Sequence, residues 1–294
     1  VGMLSDLQGG FRSVRSTLDQ MFILNEAIAM AQEQKAALYM TFIDVKKAYD
    51  RVWRSGLWHT LMTKGVSPYI RGMIRRIYES VLRRVLIGDQ LTEPVSVEAG
   101  VAQGAVLSPL LYATYIDGLH EALRKERLGI WIAGRLVPLL MYADDIVLLA
   151  PSEATMHRML EVVTQYAKQR RFEVNHGKSN LVVVGPAHLR EHARATSWTL
   201  SGCPIDIKDS YRYLGAEVEA AGRKWQQLKQ RLQDKGASYV NQLLWQGYGA
   251  WGFNPTTYTK LWKAEGRVKM EYACELWEGE LRTKDESELE SVQY

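Results

Sequence analysis

Tyr142-Ala143-Asp144-Asp145 sets two neighbouring carboxylates between two short apolar runs, Val137-Pro138-Leu139-Leu140-Met141 and Ile146-Val147-Leu148-Leu149-Ala150. Apolar runs of that length, rich in branched residues and bounded by Pro, read as the two buried strands of a hairpin. Two anions at its tip repel each other and are costly to desolvate without a compensating cation. Exposure of the tip to water is the other way to relieve that cost, so an ordinary turn is the alternative. A third carboxylate, Asp44, ends a separate apolar run, Leu38-Tyr39-Met40-Thr41-Phe42-Ile43. Three strand-end carboxylates are hard oxygen donors of the kind that hold Mg²⁺ together with substrate phosphates.

The flanking sequence organises itself around these two sites. Residues 17–34 have the helical period, with Leu18, Met21, Phe22, Leu24, Asn25 and Ile28 on or near one face. Strand 38–45 follows, then a helical run in which Val52, Trp53, Leu57 and Leu61 suit burial and Gly65 suits a stop. A helix over roughly 68–80 comes next. After it, Arg84–Ile87 and Val95–Val97 read as a two-stranded pattern joined through Gly88-Asp89. Ser108 suits an N-cap and Pro109 a first turn, with Leu110, Leu111, Tyr115, Leu119 and Leu123 along the helix that follows. Beyond the carboxylate hairpin lie a helix near 153–170, a turn at Asn175-His176-Gly177 and a strand over 180–184. Alternating strands and helices with tight hairpins imply an α+β domain with a mainly antiparallel sheet. From about residue 220 strand signals cease, and Trp225, Trp245, Trp251, Trp262 and Trp277 fall among helical segments, where core packing is the expected use. The chain therefore divides into residues 1–220 and 221–294.

Composition narrows the class without naming it. The 294 residues are 47% hydrophobic and 24% charged, as in globular proteins, with a net charge of +4. Basic clusters at Lys46-Lys47, Arg51, Arg54, Arg75-Arg76, Arg83-Arg84, Lys168 and Arg170-Arg171 lean towards phosphate contacts when set beside a metal site. Two cysteines, Cys203 and Cys274, lack disulfide or zinc spacing, which fits a reducing compartment. No apolar stretch has membrane-spanning length, and no membrane partner is expected. The first residue is Val, so the N-terminus reads as cut from something longer.

Taken in order, the residues resemble the reverse transcriptases. Phe42–Asp50 resembles the first palm motif; Gln103-Gly104 with Ala105-Val106-Leu107-Ser108-Pro109-Leu110-Leu111 resembles the second, and Tyr142–Asp145 the third. Asn175 with Gly177-Lys178-Ser179 resembles the fourth motif, and Tyr213-Leu214-Gly215 the fifth, the primer grip. Upstream, Gln8-Gly9-Gly10-Phe11-Arg12 with Arg15-Ser16-Thr17 is similar to the pre-palm signature of non-LTR (LINE-type) retrotransposon enzymes. Glu271–Trp277 is similar to the thumb ending of the same group.

That resemblance implies a right-hand polymerase: an antiparallel palm packed on helices, part of the fingers, and a helical thumb. It implies RNA-directed DNA polymerisation from dNTPs onto a DNA 3′-OH on an RNA template, with target DNA as primer and two Mg²⁺ ions, Mn²⁺ being able to substitute. Asp44 and Asp144 would bridge the metals, the carbonyl of Val45 would add a ligand, and Asp145 would assist. Tyr49 would exclude the ribose 2′-hydroxyl, Gln103 and Gly104 would line the nucleotide pocket, and Lys178 would neutralise or protonate pyrophosphate. Arg12 and Arg15 would contact template or brace the finger–palm junction. The triphosphate-gripping Lys and Arg of the fingers would lie upstream of Gln8, and the thumb would continue past Tyr294. A nuclear location follows from chromosomal DNA as primer. A non-catalytic palm that binds RNA, and a group II intron maturase-type enzyme, are the other readings; oligomeric state is open.

Overall fold

The computed structural model describes residues 3–79, 81–221, 226–245 and 254–272. The chain divides into two compact units, one of Val1–Leu214 with Ala220–Gly222 and one of Gly215–Glu219 with Arg223–Tyr294. The first is α+β and carries all three carboxylates.

Its centre is a five-stranded sheet. In chain order the strands are β1 (Leu38–Asp44), β2 (Leu139–Tyr142), β3 (Asp145–Ala150), β4 (Asn180–Val184) and β5 (Asp206–Ile207), arranged β5-β4-β1-β3-β2. All neighbours are antiparallel except β4 and β5. β1 is central, and Leu38 to Ile43 are buried without alternation, as expected of a strand covered on both faces. The covering helices are α1 (Thr17–Glu33), α2 (Arg54–Thr63), α3 (Pro68–Glu79), α4 (Ser108–Ile116), α5 (Gly118–Lys125), α6 (Glu153–Arg170) and α7 (Ala187–Ala195). One apolar core runs from Tyr39 and Ile43 through Leu57, Tyr112, Leu119 and Leu148 to Met159 and Trp198.

Local chemistry sets the helix ends. The Ser16 hydroxyl accepts from the Asp19 amide at 3.4 Å, and the Asp19 carboxylate accepts from the Ser16 amide at 2.7 Å, a reciprocal cap that starts α1. Ser152 caps α6 through the Thr155 amide. Gly65, at φ +77°, ends the turn after α2 where a side chain would be strained.

Several expectations are corrected. Phe22 is exposed, because the buried stripe of α1 runs through Met21, Leu24, Asn25 and Ile28 and position 22 lies at its margin. Ser108 is the first residue of α4 rather than its cap, and its hydroxyl instead meets the Tyr78 hydroxyl at 3.2 Å in the interior. Leu110 faces outward, and the expected single helix breaks into α4 and α5 at Asp117. The two-stranded pattern has a different register: Arg83 pairs with Val95, while Leu86–Ile87 pairs with Gln90–Leu91 across Gly88-Asp89. The partners of Leu86–Ile87 thus lie closer to the turn than the expected Val95–Val97.

The second unit contains the strand Ala216–Glu219 and the helices α8 (Gln226–Trp245), α9 (Pro255–Leu261) and α10 (Arg267–Met270), with a π-helical turn at Trp262–Gly266. Leu232, Tyr239 and Leu243 form the buried stripe of α8. Trp245 is 93% exposed, so core packing fails for it: two residues past Leu243, it points away from that stripe. Trp262 lies 6.5 Å from Tyr239, ring to ring. Trp225, Trp251 and Trp277, and the segment from Ala273 onward, lie outside the described residues. Among the described residues no helix is long and apolar enough to cross a membrane.

Candidate active site

Sheet register brings the carboxylates to one end of the palm. Asp44, the last residue of β1, is the direct partner of Asp145, the first residue of β3. Tyr142 pairs with Asp145 to close the hairpin, leaving Ala143 and Asp144 as a two-residue turn. Ala143 has φ +60°, a conformation that the first central position of such a turn ordinarily fills with Gly. Asp144 is half-buried and Asp145 is exposed at the start of β3.

The electrostatics is that of uncompensated like charge. Loss of water raises the pKa of Asp144, its own backbone N–H partly offsets this, and Asp44 adds to the rise. Asp145 is pushed up to about 6 by loss of water, with Asp144 and Asp44 adding to it. Among the basic residues, Lys46 and Arg51 pair with Glu173, and Arg83 with Asp50. Among the described residues no three carboxylate, imidazole or thiol groups close into a cluster able to hold a metal ion. The donor set nevertheless fits a hard divalent cation chemically, since it offers only oxygens and no ion pair among the described residues neutralises its charge.

A loop clamps the end of β1. The Asn175 amide donates to the Asp44 carbonyl at 2.9 Å and the Lys46 amide to the Glu173 carbonyl at 2.8 Å, around an antiparallel bridge between Val45 and Val174. In this pattern Val45 turns its own N–H and C=O to the opposite side, towards the start of β3. The Ser179 hydroxyl, fully buried, accepts from the Asp44 amide at 3.1 Å and donates to the Asn175 carbonyl at 2.9 Å. Lys178 is on this loop and exposed.

Tyr49 is half-buried, its ring stacked 5.1 Å from that of Tyr112. Burial raises both hydroxyl pKa values and the Asp144 charge raises them further, which places both rings beside the hairpin. Gln103 and Gly104 are exposed, and Gly104 has φ +80° with open space around it. Tyr213 is buried against Phe42, with ring centroids 5.6 Å apart. Leu214 and Gly215 follow at φ +45° and +91°, both half-buried.

Other basic residues read as phosphate contacts are engaged within the fold. Arg54 donates to the carbonyls of Gly100, Tyr78, Val97 and Ala99. Arg170 bonds Thr60, and Arg171 lies 4.3 Å over the Trp53 ring. Arg12 donates to the carbonyls of Ser5 and Gln8, and Arg15 pairs with Asp6, so both brace their own loop.

Two residues near the hairpin carry roles that spacing did not reveal. The Gln8 side-chain oxygen accepts from the Ala143 amide, and Tyr211 stacks on Phe42 at 4.3 Å with its hydroxyl pKa raised by burial, then by Asp145 and Asp44. Gln8 was visible only as a letter of a motif, and Tyr211 had no signal.

The model of the reverse transcriptase (RNA-dependent DNA polymerase) family matches residues 2–218. The chain is 29% identical over 231 residues to the Drosophila melanogaster protein named "Probable RNA-directed DNA polymerase from transposon BS", covering 74% of this chain and 24% of that protein. It is 29% identical to a Pol polyprotein from the type-1 retrotransposable element R2 of Popillia japonica (72% of this chain, 31% of the relative). It is 28% identical to the polymerase of the mobile element jockey of Drosophila funebris (72% and 23%). The chain thus spans less than a third of the length of each. Among solved structures, Candida tropicalis telomerase in complex with a fragment of telomeric RNA is similar at a TM-score of 0.52 and 14% identity, over 91% of this chain and 42% of that one. At that identity the likeness speaks for the right-hand polymerase fold. With the motifs in order on that fold, and with relatives drawn from non-LTR elements, this chain belongs to the reverse transcriptase (RNA-dependent DNA polymerase) family, in its LINE-type branch.

Proposed function

We propose that this chain carries the nucleotidyl-transfer centre of an RNA-directed DNA polymerase that extends a DNA 3′-OH with dNTPs on an RNA template. The observation that carries the reading is the register of Asp44 against Asp145, with Asp144 in the adjoining turn: three like charges brought together, with the carboxyl pKa values of Asp144 and Asp145 raised. Asp44, Asp144 and the carbonyl of Val45, assisted by Asp145, would hold two divalent cations, Mg²⁺ or Mn²⁺ in its place. Such ions, when bound, supply Lewis-acid stabilisation to the attacking 3′ oxygen and the departing pyrophosphate.

The chain's own groups account for the rest. Tyr49, backed by the Tyr112 ring, stands as a wall against the ribose 2′ position. Gln103 and Gly104 offer an exposed, small-residue edge to the incoming nucleotide. Lys178 is free to swing its ammonium towards pyrophosphate, and the Leu214–Gly215 turn offers backbone to the primer. RNA as template is supported by what the relatives are named for, and a nuclear location by target DNA serving as primer.

Primer extension on an RNA template with Mg²⁺ and dNTPs, run on the full natural protein and on its Asp144→Asn form, tests the reading. Extension by the parent alone supports it. Extension by both overturns the metal role of the hairpin, and RNA binding without extension by either moves the assignment to a non-catalytic palm.

A further inference from the structure

We infer that Gln8 is a positioning residue for the Tyr142–Asp145 turn, holding Ala143 in its left-handed conformation and so aiming Asp144 and Asp145. The inference rests on the polymerase reading for its catalytic consequence, but not for its geometry.

An alanine at φ +60° is disfavoured by about 1–2 kcal/mol and persists where its surroundings over-determine it. Here the surroundings are a segment far away in sequence. Gln8 is fully buried, and its Oε1 accepts from the Ala143 amide at 3.0 Å and from the Gly10 amide at 2.9 Å. Both partners are backbone donors, so only the carboxamide oxygen can face them. The backbone on either side is docked along β2: the Gly9 amide donates to the Met141 carbonyl at 2.8 Å, and the Met141 amide to the Leu7 carbonyl at 2.9 Å. Gly10 lies so close that a Cβ would strike the Ala143 nitrogen, which leaves no room for another residue there.

This strap is itself anchored. The Ser5 amide donates to Asp117 Oδ1 at 2.9 Å. Lys64 reaches Asp117 Oδ2 at 2.5 Å and the Met3 carbonyl at 2.7 Å. Arg12 ties the Ser5 carbonyl to the Gln8 carbonyl at 2.6 and 3.2 Å. The ladder therefore fixes where the Gln8 side chain begins, and the carboxamide fixes the turn.

Stability alone does not account for a glutamine at this place. Its Nε2 is buried without a partner among the described residues, a cost of about 1–3 kcal/mol that an apolar side chain of equal length would avoid. What methionine lacks is the acceptor for Ala143.

The test compares the parent, Gln8→Met, and Gln8→Met with Ala143→Gly, a residue that adopts positive φ without strain. Hydrogen exchange at the Ala143 amide is the primary readout, with β1 and β3 amides as the folding control. Gln8→Met should speed exchange at Ala143 by roughly tenfold while the strands stay protected. In primer extension it should lower kcat by about 100-fold with KM for primer–template little changed, as a misplacement near 1 Å does, and the added Ala143→Gly should recover much of that loss. Unchanged exchange at Ala143 overturns the inference whatever the activity. Unchanged kcat, or no recovery with glycine, overturns its catalytic part. If the parent extends no primer yet exchange responds, Gln8 keeps its positioning role and the polymerase reading is what fails.

Discussion

Replacing Asp145 by Asn should make the metal-free protein more stable at neutral and alkaline pH. The Asp145 carboxyl is raised from an ordinary 3.8 to about 6. At 1.36 kcal/mol for each tenfold change in proton affinity, the charged form is disfavoured by about 3 kcal/mol at most. Asp145 is exposed at the start of its strand, so solvent screening cuts the realised value to about 1 kcal/mol. Because the pKa in the folded state lies above that of the unfolded chain, the folded state binds the extra proton. Its stability therefore rises as pH falls through about 6 and the gain is complete below about 4. Asn carries no charge and escapes the penalty throughout. Urea unfolding in chelator at pH 8 should place the Asp145→Asn midpoint higher by about 0.5 M, given slopes of about 2 kcal/mol/M, and the difference should close near pH 4. Added Mg²⁺ should stabilise the parent more than the variant, since it binds the native carboxylates. A chelated parent at pH 8 as stable as Asp145→Asn, or more so, would refute the claim of uncompensated charge.

Lys64→Met leaves the Asp117 carboxylate, 1% exposed, without its ion-pair partner and should cost about 3 kcal/mol by urea titration; a loss below about 1 kcal/mol would show that the Ser5 amide suffices. Gly10→Ala drives a Cβ into the Ala143 nitrogen, and a drop of about 1–3 kcal/mol in unfolding free energy is expected, read by thermal melting; an unshifted melt would mean the turn can yield. Tyr49→Ala removes the ring stacked on Tyr112 and should raise incorporation of rNTP relative to dNTP by about tenfold or more in single-nucleotide extension, whereas unchanged discrimination would remove the sugar gate from this residue.

The elements were legible where one segment speaks for itself. Strand β1, the carboxylate hairpin and helices α1, α3 and α6 follow from apolar runs and helical periods that are local properties of the chain. The helix split at Asp117 was less so, and the carboxylate at that break is held by Lys64, 53 positions away. The hairpin register after α3 was misjudged for a related reason: its six large apolar residues from Leu82 to Val95 are all exposed, so no buried face enforced the alternation on which register reading depends.

Taken alone, the sequence determined that three carboxylates end two apolar strands, and the order of the motifs determined the family to which they belong. Only the tertiary structure decided what holds them. Ala143 is fixed by Gln8 and the Asp44 amide by Ser179, each across 135 positions. Both contacts join a side chain to a backbone N–H, a group that every residue but proline presents, so no residue type at the receiving end announces them. Such partners are selected by the packing of the sheet and its loops, which exists only once the chain has folded.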